Sequence, residues 1–140
     1  MKEYKKFGQA ATEYLIVIGI SLLILTPIIL IGNNAVVDLK YSSDSAVAKE
    51  AVDEITEISK IVYAQGSPAK ITKKIHFPQN IIATDVDNQM ILIQMRYKTA
   101  SSDIFSIVDF NVTGDLPTTS GIHTISVEAI NYGVNISTLT

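Results

Sequence analysis

Cysteine is absent from this 140-residue chain, which excludes a disulfide framework and a thiolate metal site and leaves any extracellular location to be argued from other features. Charge is sparse, at 18% of residues, and residues 15–31 carry none at all. Internal repeats and low-complexity tracts are also missing. The length suffices for one small domain, less whatever part lies in a membrane or a fibre core. The formal net charge is −3, but Lys2, Lys5 and Lys6 against Glu3 make the first eight residues +2 and leave −5 for residues 9–140. An acidic body of that kind does not suit nucleic acid as a partner.

The features that are present are strongly ordered along the chain. A basic opening precedes the uncharged run, the pattern that keeps an N-terminus in the cytoplasm and sends the remainder of the chain across the membrane. The run of residues 15–31 would measure roughly 26 Å as a helix, the short end for a bilayer core, and Tyr14 and Gly32 bring it into range. Pro27 removes one backbone donor and is expected to loosen or kink this helix, with Gly19 and Gly32 as further weak points.

Beyond Gly32-Asn33-Asn34 the spacing becomes amphipathic. Val36, Leu39, Val47, Val52, Ile55, Ile58 and Val62 fall mostly three and four residues apart among charged neighbours from Asp38 to Lys60, so one face should pack and the other stay wet. The alternating charges read first as a solvated face. Gln65-Gly66-Ser67-Pro68 is a stop signal, with Gly able to take a left-handed cap and Pro unable to continue the helix.

From Lys70 onward alternation replaces helical spacing. Ile71, Ile75 and Phe77, then Ile91, Ile93, Met95 and Tyr97, then Val108, Phe110 and Val112, then Ile125, Val127 and Ala129, and finally Val134 and Ile136 mark inward positions of five or six short strands. Asp87-Asn88, Gly114-Asp115-Leu116-Pro117, Ser120-Gly121 and Asn131-Tyr132-Gly133 punctuate them as turns. The fold class expected is α+β: a long N-terminal hydrophobic and amphipathic helix over residues 9–65 (9–32 hydrophobic, 33–65 amphipathic), followed by a small antiparallel β-sheet or β-sandwich domain over residues 69–140.

The constellation most relevant to function is Lys5-Lys6-Phe7-Gly8 followed by Gln9-Ala10-Ala11-Thr12-Glu13-Tyr14-Leu15, placed directly before the apolar run. It resembles the class III signal peptide of archaeal type IV pilins. The resemblance implies a leader of residues 1–8 that a prepilin peptidase removes by cutting between Gly8 and Gln9, with Lys5, Lys6 and Gly8 as recognition positions. It also makes Glu13 the fifth residue of the mature chain, where such pilins keep a glutamate. A carboxylate beside hydrocarbon is costly unless paired, and the new α-amine at Gln9 could pair with it from a neighbouring subunit and fix axial register. Two plainer roles remain open: favouring the positive end of the helix, and pairing with its own chain's Gln9 one turn away.

The resemblance implies a structural subunit that polymerises through its hydrophobic helix into a surface filament serving adhesion, with itself, the peptidase and a membrane assembly platform as partners. The rivals are a monomeric membrane-anchored extracellular binding protein and a minor pilin-like component of a secretion or uptake system. An ordinary signal peptide would be cut after the apolar run, where Asn33-Asn34-Ala35 offers a poor site.

Two sequons, Asn111-Val112-Thr113 and Asn135-Ile136-Ser137, are candidate N-glycosylation sites, and alternation turns both asparagines away from the core. His76 and His123 read as surface residues. Asp85, Asp87 and Asn88 lack the glycine and closing glutamate of a calcium loop and read as a hairpin turn. No nucleophile, base and orienting acid can be assembled, and no enzymatic role, cofactor or metal is expected.

Overall fold

The computed structural model describes residues 2–139, with side chains from Gly8 to Leu139. One helix, α1 (Lys2–Gln65), is followed by β1 (Lys70–Phe77), β2 (Ile81–Asp87), β3 (Met90–Tyr97), β4 (Ala100–Ile107), β5 (Asn111–Gly114), β6 (Gly121–Ile130) and β7 (Gly133–Leu139). This is the α+β arrangement expected. The chain divides into two compact units, Met1–Lys40 and Tyr41–Thr140.

Within the first unit α1 remains helical through Gly19, Pro27 and Gly32, so Pro27 removes one amide bond without ending the element. Val36 and Leu39, which the spacing placed on a packing face, are 55% and 69% exposed.

In the second unit the helix supplies a buried stripe of Ala48, Ala51, Val52, Ile55, Ile58 and Val62. The three- and four-residue steps put these side chains on one face, and the alanines complete it toward its N-terminal end. Gly66 ends the helix in the left-handed region (φ 72), its N–H donating to the carbonyls of Val62 and Tyr63, each at 3.1 Å. The expected stop thus operates through a glycine cap.

Two sheets share this core. One has the order β1-β6-β7-β5, the other β2-β3-β4. Ile75, Phe77, Ile125, Val127, Ala129, Val134 and Ile136 line the first inwardly, and Val86, Ile91, Ile93 and Met95 line the second. Lys73 pairs with Glu54 of the helix, which holds the ammonium pKa above its usual value, although half-exposed pairs of this kind stabilise little. At the start of the unit, the hydroxyls of Ser102 and Ser45 beside Tyr41 hold its phenol below the usual pKa, and the Tyr41 ring lies 4.0 Å from that of Tyr97.

Two findings depart from the sequence reading. Seven strands are present among the described residues rather than five or six, because β2 and β4 carry weak or inverted alternation, and Val108 and Phe110, expected on one strand with Val112, are buried in the connection before β5. The pairing is also not purely antiparallel: β5 runs parallel to β7, matching Asn111 with Gly133 and Gly114 with Ile136. Glycine permits that close approach at both ends. A Cβ on Gly114, whose φ is 132°, would lie 1.8 Å from the Ile136 carbonyl oxygen, and one on Gly133 would lie 2.1 Å from that of Asn111. We therefore expect Gly114→Ala to destabilise the second unit by more than about 2 kcal/mol. Gly66→Ala, with open space around its Cβ, should cost only about 1 kcal/mol. Chemical denaturation of both variants checks the order.

Candidate functional site

The first unit presents an apolar surface that its own chain leaves uncovered. From Leu15 to Ile31 thirteen large aliphatic side chains are exposed, from 38% at Ile18 to 74% at Leu23. They occupy consecutive positions such as Leu15, Ile16, Val17 and Ile18, so the helix is apolar all round rather than along one stripe. Its most apolar 18-residue window has a mean hydropathy of 2.8, long and apolar enough to cross a membrane. At about 1.5–3 kcal/mol for each large aliphatic side chain, leaving this surface in water would cost on the order of 20 kcal/mol, more than a domain's whole stability.

The side-chain hydroxyls of the segment are satisfied within the helix. Ser21 and Thr26 donate to the carbonyls of Val17 and Leu22, at 2.7 and 2.8 Å. Thr12 donates to the carbonyl of Gly8 at 2.9 Å. Hydroxyls bonded back to the preceding turn need no water, so the segment can enter hydrocarbon without orphaned donors.

At its N-terminal edge, the Gln9 side-chain amide donates to the Glu13 carboxylate at 3.2 Å. The structure thus brings together the two residues the spacing put one turn apart, through the glutamine side chain. Gly8 stands exposed in the helix with open space where a Cβ would lie. The side chains of Lys5 and Lys6 lie outside the described residues.

Both sequons lie on the outer face of the four-stranded sheet, on adjacent strands, with Thr113 directly opposite Asn135. They differ in access. Asn111 is exposed on the edge strand β5, whereas Asn135 is half-buried on β7 between β5 and β6.

His76 is exposed, as expected. His123 is half-buried, contrary to a plain surface placement: its ring meets Phe77 edge-on at 5.8 Å, and Nε2 lies 3.0 Å from the carbonyl oxygen of Thr119. The two-residue connection between Asp87 and Met90 is the hairpin turn expected of Asp87-Asn88, with Asn88 at φ 56. Among the described residues no group of three or more His, Asp or Glu side chains is placed to hold a metal ion.

No protein-family model matches the chain, and neither the curated proteins nor the solved structures provide a match.

A charge in the middle of the apolar segment should be poorly tolerated. Leu23→Lys is expected to add about 2.5–3.5 kcal/mol to bilayer insertion and to lower the membrane-integrated fraction sharply, whereas Leu23→Ile should leave it unchanged. Alkaline extraction of membranes from expressing cells reads the difference.

Proposed function

We propose that the chain is the precursor of a structural subunit of an archaeal type IV pilus-like surface filament, which polymerises through its hydrophobic helix after a prepilin peptidase removes residues 1–8. The observation that carries this reading is the all-round apolar helix of residues 15–31, exposed along its length and preceded by Gly8-Gln9 and Glu13. Such a helix requires an apolar host. A bilayer provides one before assembly and a bundle of identical helices provides one afterwards, so transfer between them keeps the surface out of water.

The leader cut changes the partner available to Glu13. In the uncut chain its carboxylate is met by a neutral amide from Gln9. Cleavage before Gln9 creates a positively charged α-amine, and a charge-assisted bond is roughly twice as strong as a neutral one. Near hydrocarbon, where an unpaired carboxylate is expensive, that amine on a neighbouring subunit supplies both neutralisation and axial register. Gly8 favours the cut, since a residue without a side chain is where a helix opens most readily for a peptidase.

In this reading the N-terminus is cytoplasmic before assembly and the second unit lies outside the cell, where the filament serves adhesion. An assembly platform in the membrane drives the transfer. The exposed Asn111 is the stronger N-glycan acceptor and the hemmed-in Asn135 the weaker.

Mass spectrometry of protein sheared from the cell surface should find a chain starting at Gln9 or its cyclised form. A start at Met1, confined to membranes, would replace the filament with the monomeric anchored binding protein. Glu13→Ala should leave processing and membrane insertion largely intact while lowering filament yield about tenfold, and a normal yield would sink the pairing role. Intact-mass measurement of Asn111→Gln and Asn135→Gln should show the greater loss of glycan in the first.

A further inference from the structure

The two sheets of the second unit present different outer faces. That of the four-stranded sheet mixes polar residues, Lys70, Thr72, Lys74 and Glu128 beside the sequon residues, with the exposed Ile122 and Ile130 set apart along β6. The outer face of the three-stranded sheet is apolar at one end. There the registers Met90↔Ile107 and Leu92↔Phe105 place four apolar side chains together, with Ile107 64% and Phe105 55% exposed. Asp87 and Asp85 sit directly opposite Met90 and Leu92 on β2 and give the strip an acidic border.

At the other end of the same sheet lies a depression of about 500 Å³, lined by Ile82, Arg96, Lys98, Thr99, Ala100 and Ser101. It is basic and has an apolar floor in Ile82, itself 40% exposed. From Met90 to Arg96 is about 20 Å along an extended strand, so one copy cannot bring its acidic end to its own basic end.

Edge protection singles out the same place. The edge strand β1 carries Lys70, Lys73 and Lys74, which discourage pairing with another chain. β2 and β5 cover one another, with Val112 N–H donating to Asn88 O at 2.7 Å and Thr84 Oγ1 to Leu116 O at 2.9 Å. β4 has neither guard. Its eight residues contain one charge, Asp103, which accepts a 2.8 Å hydrogen bond from Gln94.

We infer that this face is a head-to-tail interface between copies of the chain, in which Phe105 and Ile107 of one copy seat in the Ile82–Arg96–Lys98 depression of the next while Asp85 and Asp87 meet its basic rim. Taken head to tail, each copy gives one patch to one neighbour and the other patch to the next, which makes the contact heterologous, and a heterologous contact that does not close propagates as a helical polymer. The inference rests on the filament reading and adds a second contact to it, one between sheets rather than between helices. Opposite charges fix the direction of stacking, since a copy turned end for end in the same row would set acid against acid. The sequon-bearing face stays free.

The test is charge exchange in the full chain, in cells that assemble the filament. Asp85→Arg with Asp87→Arg, and separately Arg96→Asp with Lys98→Asp, should each lower sheared filament yield about tenfold, and the four changes together should restore it to within about twofold. Phe105→Ser with Ile107→Ser should also lower yield, with no rescue by the charge changes. These side chains lie on an outer face or, for Lys98, in the turn between β3 and β4, and circular dichroism of the membrane-extracted subunit should be unchanged. Wild-type yields from both charge variants would overturn the interface and leave the filament standing. Absence of filaments from the wild-type chain would overturn both.

Discussion

The rest of the molecule is organised around an apolar surface that the chain does not cover itself. Over residues 15–31 the helix is hydrophobic on every side, and its large side chains stand exposed along its whole length. A soluble domain cannot carry a liability of that size, because it exceeds the few kcal/mol by which domains are stable. The surface therefore has to be satisfied by something outside the chain, whether lipid or other copies. The internal bonding of Ser21 and Thr26 matters here because it makes either host acceptable. A hydroxyl that needed water would tie the helix to an aqueous boundary.

The same helix solves a different problem after Tyr41. There its small and β-branched residues pack against two sheets, and the second unit gains a core of its own that does not depend on the apolar segment. This division separates the folded core from the exposed apolar segment. Substitutions at Ile55 or Ile136 act on the core, whereas a charge at Leu23 acts on the apolar segment. The glycine-framed parallel pairing of β5 with β7 belongs to the first category, since it sets the backbone approach that lets a four-residue strand close the sheet beside the sequons.

Much of this was legible in the sequence wherever burial was one-sided. Phe77, Met95, Val112, Val127 and Ile136 alternate with polar residues, and all are buried as alternation requires. The helix stop at Gly66 was equally plain, since the chemistry of a left-handed cap is local. β4 was not legible because its pattern is inverted: Ser102 and Ser106 face inward beside Ile104, while Phe105 and Ile107 face out. The parallel pairing was hidden for another reason, since strand order depends on which edges meet in space and leaves no period in the chain. Val36 and Leu39 have the right spacing to pack yet stay exposed, because spacing shows which residues share a face and not whether anything covers it. Toward the N-terminus, the Gln9–Glu13 contact follows from one helical turn, whereas the role proposed for Gly8 rests on the resemblance of its flank to a leader cut site.

The inverted pattern of β4 and the proposed assembly have one physical origin. A strand that must satisfy only its own domain puts apolar residues inward and polar residues outward, and the other strands bury the core by that rule while leaving apolar residues exposed only at separated positions such as Ile122 and Ile130 of β6. β4 places two large apolar residues in water beside an edge without lysine, proline or a bulge, which a monomer gains nothing from and which invites unwanted pairing. The arrangement is consistent if the exposed face is covered in the assembled state. It then belongs with the apolar helix as a second surface that one copy leaves unsatisfied and many copies satisfy together. In the proposed assembly a contact across the sheet would add a constraint on the rotation between neighbours to the axial register that the pairing of Glu13 would supply.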